Sequence, residues 1–200
     1  MILEHNTEND RRASHRTYIK WLRFEGSGMS GRIRWDQQTE WLKAGLAGNG
    51  VFLNVKTPEG KVNPMTIGWG QVGIVWSIPV FTVYVRKSRY TFECLQSADT
   101  FTVSVPRLGE LADELTLCGT KSGRDLDKVE SCGFTMIDGQ SVDTSIIGEC
   151  GLHYECNILA RSQLEVPDIA SEDVLRFYES KDLHQIVLGE IVAAYVTDPQ

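Results

Sequence analysis

Residues 63–76 read NPMTIGWGQVGIVW. The apolar and β-branched residues are those of a strand, yet a proline, three glycines and two tryptophans interrupt them. Gly68, Gly70 and Gly73 suit a bend or a close backbone approach, while Trp69 and Trp76 supply flat apolar surface. Two readings stand side by side: a barrel corner with core tryptophans, or a wall for a planar aromatic ligand. No G-x-G-x-x-G opens a helix after a strand and no G-x-x-x-x-G-K-[ST] occurs, so neither of those phosphate loops is present.

Working outward, VFLNVK (51–56) alternates as a strand, TPEGK is a turn, and a second strand opens at Val62. VFTVYVR (80–86), TFTVSVP (100–106), a long segment near 150–161 and HQIVLGEIVAAYV (184–196) also read as strands. Helices are expected in QQTEWLKAGL, N-capped by Asp36, in RYTFECLQSA, capped by Ser88, in LGELADELTLCG, after a capping-box-like Ser122/Asp125 and up to Gly133, and at about 171–179. Short strands with helices between them, lacking a βαβ rhythm, predict a mainly β barrel with added helices. Residues 1–34 are charged and carry the flexible EGSGMSG, with YIKWLRF as their one short helix candidate. They are expected to form an extension, with Met29 an alternative start, leaving 35–200 as the domain.

Composition removes several function classes. At 200 residues and 22.4 kDa, the chain has room for one sizeable core. No apolar run approaches the roughly 20 residues of a membrane span, and the N-terminus lacks a secretion-signal h-region, so a cytoplasmic location is expected. The net charge of −7 argues against broad nucleic-acid binding. Five cysteines without a C-x-x-C pair suggest reduced thiols. In CGLHYEC (150–156), strand alternation turns His153 away from Cys150 and Cys156, which separates three would-be metal ligands.

Two segments concentrate cations beside expected helix starts. VRKSRYT (85–91) holds Arg86, Lys87 and Arg89, and TKSGRDLDK (120–128) holds Lys121, Arg124 and Lys128, each with hydroxyl residues. Helix N-termini favour anions, so the pair suits a phosphate, although each run by itself also reads as a solvated charged face.

VNPMTIGWG (62–70), VYVRKSRYTFE (83–93) and CGTKSGRDLDK (118–128), in that order, resemble the flavin reductase-like family of FMN-binding split barrels, specifically its flavoredoxin-like branch. The C-terminal FYESKDLHQIVLGEIV is similar to that branch too, and the resemblance covers roughly residues 40–197. It implies a six-stranded Greek-key barrel, a homodimer, and FMN held without a covalent bond near the subunit interface. Carried over by position, it places Asn63, Thr66 and Trp69 beside the FMN, with Met65 and Arg86 as secondary contacts. It sets Ser88, Arg89, Tyr90, Thr91, Ser122, Gly123, Arg124 and Lys128 near the phosphate and ribityl chain.

In such a protein the cofactor carries the chemistry, so no acid–base dyad is needed. His153 and His184 have no evident nucleophile partner and read as structural. The resemblance leaves two function classes open: an NAD(P)H-dependent reductase passing electrons to free flavin, ferric iron or a small acceptor, and a non-catalytic FMN carrier or sensor reduced by a partner protein. A split barrel holding pyridoxal phosphate or haem fits the three motifs less well.

Overall fold

The computed structural model describes residues 31–198. The elements in chain order are β1 (Gly31–Arg32), α1 (Thr39–Ala47), β2 (Val51–Lys56), β3 (Val62–Ile67), β4 (Gly70–Val75), β5 (Ile78–Arg86), α2 (Tyr90–Ser97), β6 (Thr100–Val105), α3 (Ala112–Thr120), α4 (Lys128–Cys132), β7 (Met136–Ile137), β8 (Ile146–Ile147), β9 (Leu152–Gln163), α5 (Glu172–Leu175) and β10 (His184–Val196). One antiparallel sheet runs β3-β2-β6-β9-β10-β5-β4, with β1 added on β10. Six of these strands, from β3 to β5, form a continuous path; β4 and β1 extend it beyond the six expected. β7 and β8 form a separate small ribbon.

Alternation along β2 shows how the sequence makes two layers. Val51, Leu53 and Val55 enter the main core with Phe81, Phe101 and Tyr154. Phe52 faces the other way and packs with Leu115 and Cys118 of α3, Phe134 and Ile147. The helices α3 and α4 therefore cover the outer face of β2 and β3, which sets the loop between them against β3.

The glycine-rich stretch divides at Ile67. Its first half is β3, and its second half is β4, a strand that the sequence did not announce because Gly68, Gly70 and Gly73 break the pattern. β4 and β5 join through Trp76 and Ser77 in a two-residue turn, with φ of 51° and 60°. Asn-Gly is the usual choice for such a turn, which is why Trp-Ser gives no signal. Gly70 has a steric reason: a Cβ there would meet Phe81 and the Thr82 carbonyl at 3.2 Å.

The boundary drawn after residue 34 moves towards the N-terminus. Gly31 and Arg32 pair with Val196 and Tyr195, the Ile33 amide donates to the Ala194 carbonyl at 2.8 Å, and Ile33 is buried. YIKWLRF and Met29 lie outside the described residues. Helix starts also shift. Asp36 pairs with Arg34, and α1 begins after Gln38, whose φ is 61°. The segment after Ser122 forms no helix until α4, where Asp127 is the N-cap, accepting from the Glu130 amide at 3.2 Å, and Gly133 closes the helix at φ 66°.

Two buried polar groups organise the far end of the sheet. Glu155 accepts from the amides of Gln140, Ser141 and Val142 at 2.7, 2.6 and 3.0 Å and from the Tyr195 hydroxyl at 2.6 Å. Four donors compensate a carboxylate that has lost its water. His153 places Nε2 at 3.0 Å from the Cys150 carbonyl and Nδ1 at 3.2 Å from Ser104 Oγ. The carbonyl fixes the tautomer with the proton on Nε2, so Nδ1 accepts from the serine. Among the described residues no cluster of three or more His, Cys, Asp or Glu side chains is arranged to hold a metal ion.

Burial lowers the His153 pKa from 6.5 to about 4 against the smaller raising effect of the Cys150 carbonyl. The unfolded chain therefore takes up this proton first. His153 costs no stability above about pH 6.5 and progressively more as pH falls to 4, reaching about 3 kcal/mol by linkage. Urea midpoints measured from pH 7 to 4 should fall more steeply for wild type than for His153→Gln; parallel slopes would contradict this assignment.

Candidate functional site

Three segments converge at the rim of the sheet. β3 brings Asn63 and Met65 on one face, the β5–α2 junction brings Ser88 to Thr91, and the α3–α4 loop brings Thr120 to Arg124 with Lys128 behind it. Together Met65, Ser88, Arg89, Tyr90, Thr91, Thr120, Lys121, Ser122, Gly123, Arg124 and Lys128 line a cleft of about 120 Å³. Four of these side chains are cations and none is a carboxylate, in a chain with a net charge of −7. A second cleft of about 400 Å³ shares Tyr90, Gly123, Arg124 and Lys128 but mixes in Glu59, Asp125 and Asp127.

Close packing holds the first cleft in shape. Asn63 Nδ2 donates to Thr91 Oγ1 at 2.8 Å, tying β3 to α2. Gly123 presses against the same asparagine: a Cβ there would fall 2.0 Å from Asn63 Oδ1 and 2.9 Å from the Tyr90 ring. Arg124 lies over that ring, 5.3 Å from its centroid, and pairs with Glu93 at 2.5 Å. The bond to Arg124 lowers the Glu93 pKa, although Glu93 is exposed.

Lys128 is the buried member. Only 5% exposed, its ammonium donates to the Pro64 and Cys118 carbonyls at 3.0 Å each. Burial lowers its pKa; proximity to Cys118 opposes that shift, and the neighbouring Arg89 charge adds to it. Among the described residues, the Arg89 and Lys121 side chains form no hydrogen bond or ion pair, leaving both charges available at the cleft.

The cleft gathers Met65, Ser88, Arg89, Tyr90, Thr91, Ser122, Gly123, Arg124 and Lys128, whereas Asn63 lines the second cleft. Thr66, Trp69 and Arg86 line neither cleft. Thr66 sits on the opposite face of β3, as period-two alternation from Met65 requires, and donates to the Leu115 carbonyl at 2.6 Å. Trp69, 39% exposed, packs against Phe177, Tyr178 and His184, with ring centroids 5.4, 6.5 and 4.7 Å away. Arg86 donates to the Asp182 and Phe177 carbonyls at 2.6 and 2.9 Å and lies over Tyr178.

Asp182 was not legible as a site residue. Its carboxylate accepts from the Ser88 amide at 3.1 Å and the Ser88 hydroxyl at 2.6 Å, holding the β5–α2 turn from 94 residues away. Nothing near DLHQ in the sequence signals that contact. His184 accompanies it, accepting from or donating to the Tyr178 hydroxyl at 3.0 Å. Burial, then the Arg86 charge, lowers its pKa to about 4, so it is neutral at pH 7.

Residues 46–200 match the flavin reductase like domain. The chain belongs to that family. The solved flavoredoxin of Methanosarcina acetivorans is 29% identical, covers 74% of this chain and 68% of its own, and superposes with a TM-score of 0.57. The flavoredoxin of Desulfovibrio vulgaris (Miyazaki F) is 23% identical, with coverages of 74% and 70% and a TM-score of 0.58, a likeness of fold. An uncharacterised protein of Archaeoglobus fulgidus is 31% identical over 109 residues. That match takes in 54% of this chain, which spans 60% of the length of the curated relative. The observed fold is thus the mainly β split barrel with added helices. Among the described residues no helix is long and apolar enough to cross a membrane.

Gly123→Ala should lower the midpoint of thermal unfolding, because the methyl group displaces Asn63 or the loop at a cost of about 1–3 kcal/mol. An unchanged melting temperature would show that the loop does not press on Asn63 as described.

Proposed function

We propose that the chain binds FMN without a covalent bond and acts as a flavin-dependent oxidoreductase, taking electrons from NADH or NADPH and delivering them to free flavin, ferric iron or another small acceptor. The carboxylate-free cleft with its cations and hydroxyls carries this reading. About 120 Å³ is below the roughly 300 Å³ of a full small-molecule site, so the cleft suits a head group such as the phosphate. Arg89 and Lys121 offer uncommitted charge, and Thr91 and Ser122, whose hydroxyl oxygens only accept within the chain, offer hydroxyl donors. Gly123 lets the backbone come close, and Arg124 can turn from Glu93 to the anion. Family membership supports FMN in particular, and the residues present fit its phosphate end.

When bound, the flavin supplies hydride acceptance from a nicotinamide and onward electron transfer. The chain's own residues bind and orient. Arg89 and Lys121 neutralise phosphate charge, Tyr90 and Met65 provide apolar wall, and the Asp182–Ser88 bonds fix the turn that presents Arg89. Assembly as a homodimer belongs to the same reading: β4 ends the sheet and leaves Ile74 and Trp76 47% and 62% exposed, apolar surface that a second copy would cover.

An electron carrier is the second reading, favoured by the flavoredoxin that is 29% identical. A reductase must admit a nicotinamide within about 3–3.5 Å of the reacting ring, whereas a carrier needs edge access alone. Mixing the FMN-loaded protein with excess NADH or NADPH under anaerobic conditions should abolish the visible flavin band within seconds to minutes, and a ferric chelate should restore it. If dithionite removes the band and neither nicotinamide does, the protein is the carrier.

A further inference from the structure

Cys118 and Cys132 place their Sγ atoms 3.9 Å apart, across the interface between α3 and α4. Cys118 is fully buried, whereas Cys132, the last residue of α4, is partly exposed. Cys94, Cys150 and Cys156 are all buried, and among the described residues none makes a hydrogen-bonding contact with a second thiol. The chain between the pair, residues 119–131, contains Ser122, Gly123, Arg124 and Lys128.

The two sulfurs are in van der Waals contact, and a disulfide needs about 2 Å. Closing that difference requires rotation of both side chains, and the helices are already fastened to each other where Lys128 donates to the Cys118 carbonyl. We propose that Cys118 and Cys132 are a reversible disulfide site, oxidised by a small-molecule disulfide of the glutathione type, which closes residues 119–131 into a covalent loop. Neither the pairing nor its chemistry depends on a bound flavin.

The steps balance as thiol–disulfide exchange. Cys132, accessible to solvent, loses its proton and attacks one sulfur of oxidised glutathione; a Cys132–glutathione bond forms and one glutathione thiolate leaves. Cys118 then gives up its proton and attacks Cys132 Sγ, forming the protein disulfide and expelling the second glutathione. Two protein thiols are oxidised and one oxidised glutathione becomes two reduced ones. Burial pushes the Cys118 thiol up to about 12, with Cys132 adding to the shift, and burial raises Cys132 as well. The thiolate fractions are therefore small at neutral pH, making oxidation slow and faster in alkali. Once formed, the bond fastens α4 to α3 a second time and restricts opening of the loop that bears the cationic cleft.

The test equilibrates the full chain in glutathione buffers of increasing oxidised fraction, followed by alkylation, intact-mass measurement and peptide mapping. Wild type should lose two hydrogens, with the cross-link mapped to the peptides of Cys118 and Cys132 and reversed by dithiothreitol. Cys118→Ser should instead retain one glutathione on Cys132, for want of the resolving thiol, whereas Cys132→Ser should leave Cys118 unmodified. Circular dichroism confirms that each variant is folded under the buffers used. Folded wild type that keeps both thiols throughout, that accumulates a lasting glutathione adduct on Cys132, or that cross-links Cys118 to Cys150 would overturn the proposal.

Discussion

The site depends on a buried ammonium. Lys128 gives up its hydration for two carbonyl bonds, one from β3 and one from the end of α3, and among the described residues it forms no ion pair with a carboxylate. Removing a charge from water is costly unless polar groups replace the lost shell. The Pro64 and Cys118 carbonyls can do so only if β3, α3 and α4 hold their present spacing. Proline at position 64 frees no amide to compete there, and its carbonyl is aimed at Lys128 by the strand. The loop from Lys121 to Asp127 is thereby anchored at both ends, and Gly123 is brought against Asn63.

That anchor explains how an acidic chain sustains a cleft whose charged side chains are all cations. Two carboxylates that bond to its residues do not themselves line it: Glu93 pairs with Arg124, and Asp182 accepts from Ser88. Arg89 and Lys128 lie close enough for the charge of one to depress the pKa of the other. Such a repulsion is relieved by an anion between them. The same arrangement separates support from recognition. Lys128 supports the loop and closes the back of the cleft, whereas Arg89 and Lys121 are free to meet a ligand.

The sequence disclosed the strands best, because β2, β5, β6, β9 and β10 carry uninterrupted apolar or alternating patterns. β4 was hidden by its glycines and by a turn made from Trp76 and Ser77, residues that seldom adopt positive φ. Helix starts were misplaced where a capping residue was used elsewhere. Ser88 caps no helix, since its hydroxyl goes to Asp182, and the N-cap role expected near Ser122 falls to Asp127. Motif spacing located most of the cleft because its residues are local in the chain. Thr66 and Trp69 lie outside that cleft, since their direction depends on strand alternation and on the aromatic group of residues 177–184. Asp182 was beyond reach, because only tertiary folding brings it to Ser88.

The central claim is that the cleft between residues 88–91 and 120–124 receives the phosphate of FMN. Titrating wild type and Arg89→Ala with FMN and with riboflavin, followed by flavin fluorescence, tests it most directly. Loss of a charge-assisted hydrogen bond worth roughly 1.5–3 kcal/mol should weaken FMN by about ten- to a hundredfold, leaving riboflavin, which has no phosphate, nearly unchanged. Equal losses for the two flavins, or no saturable FMN binding by wild type at micromolar concentrations, would contradict the account.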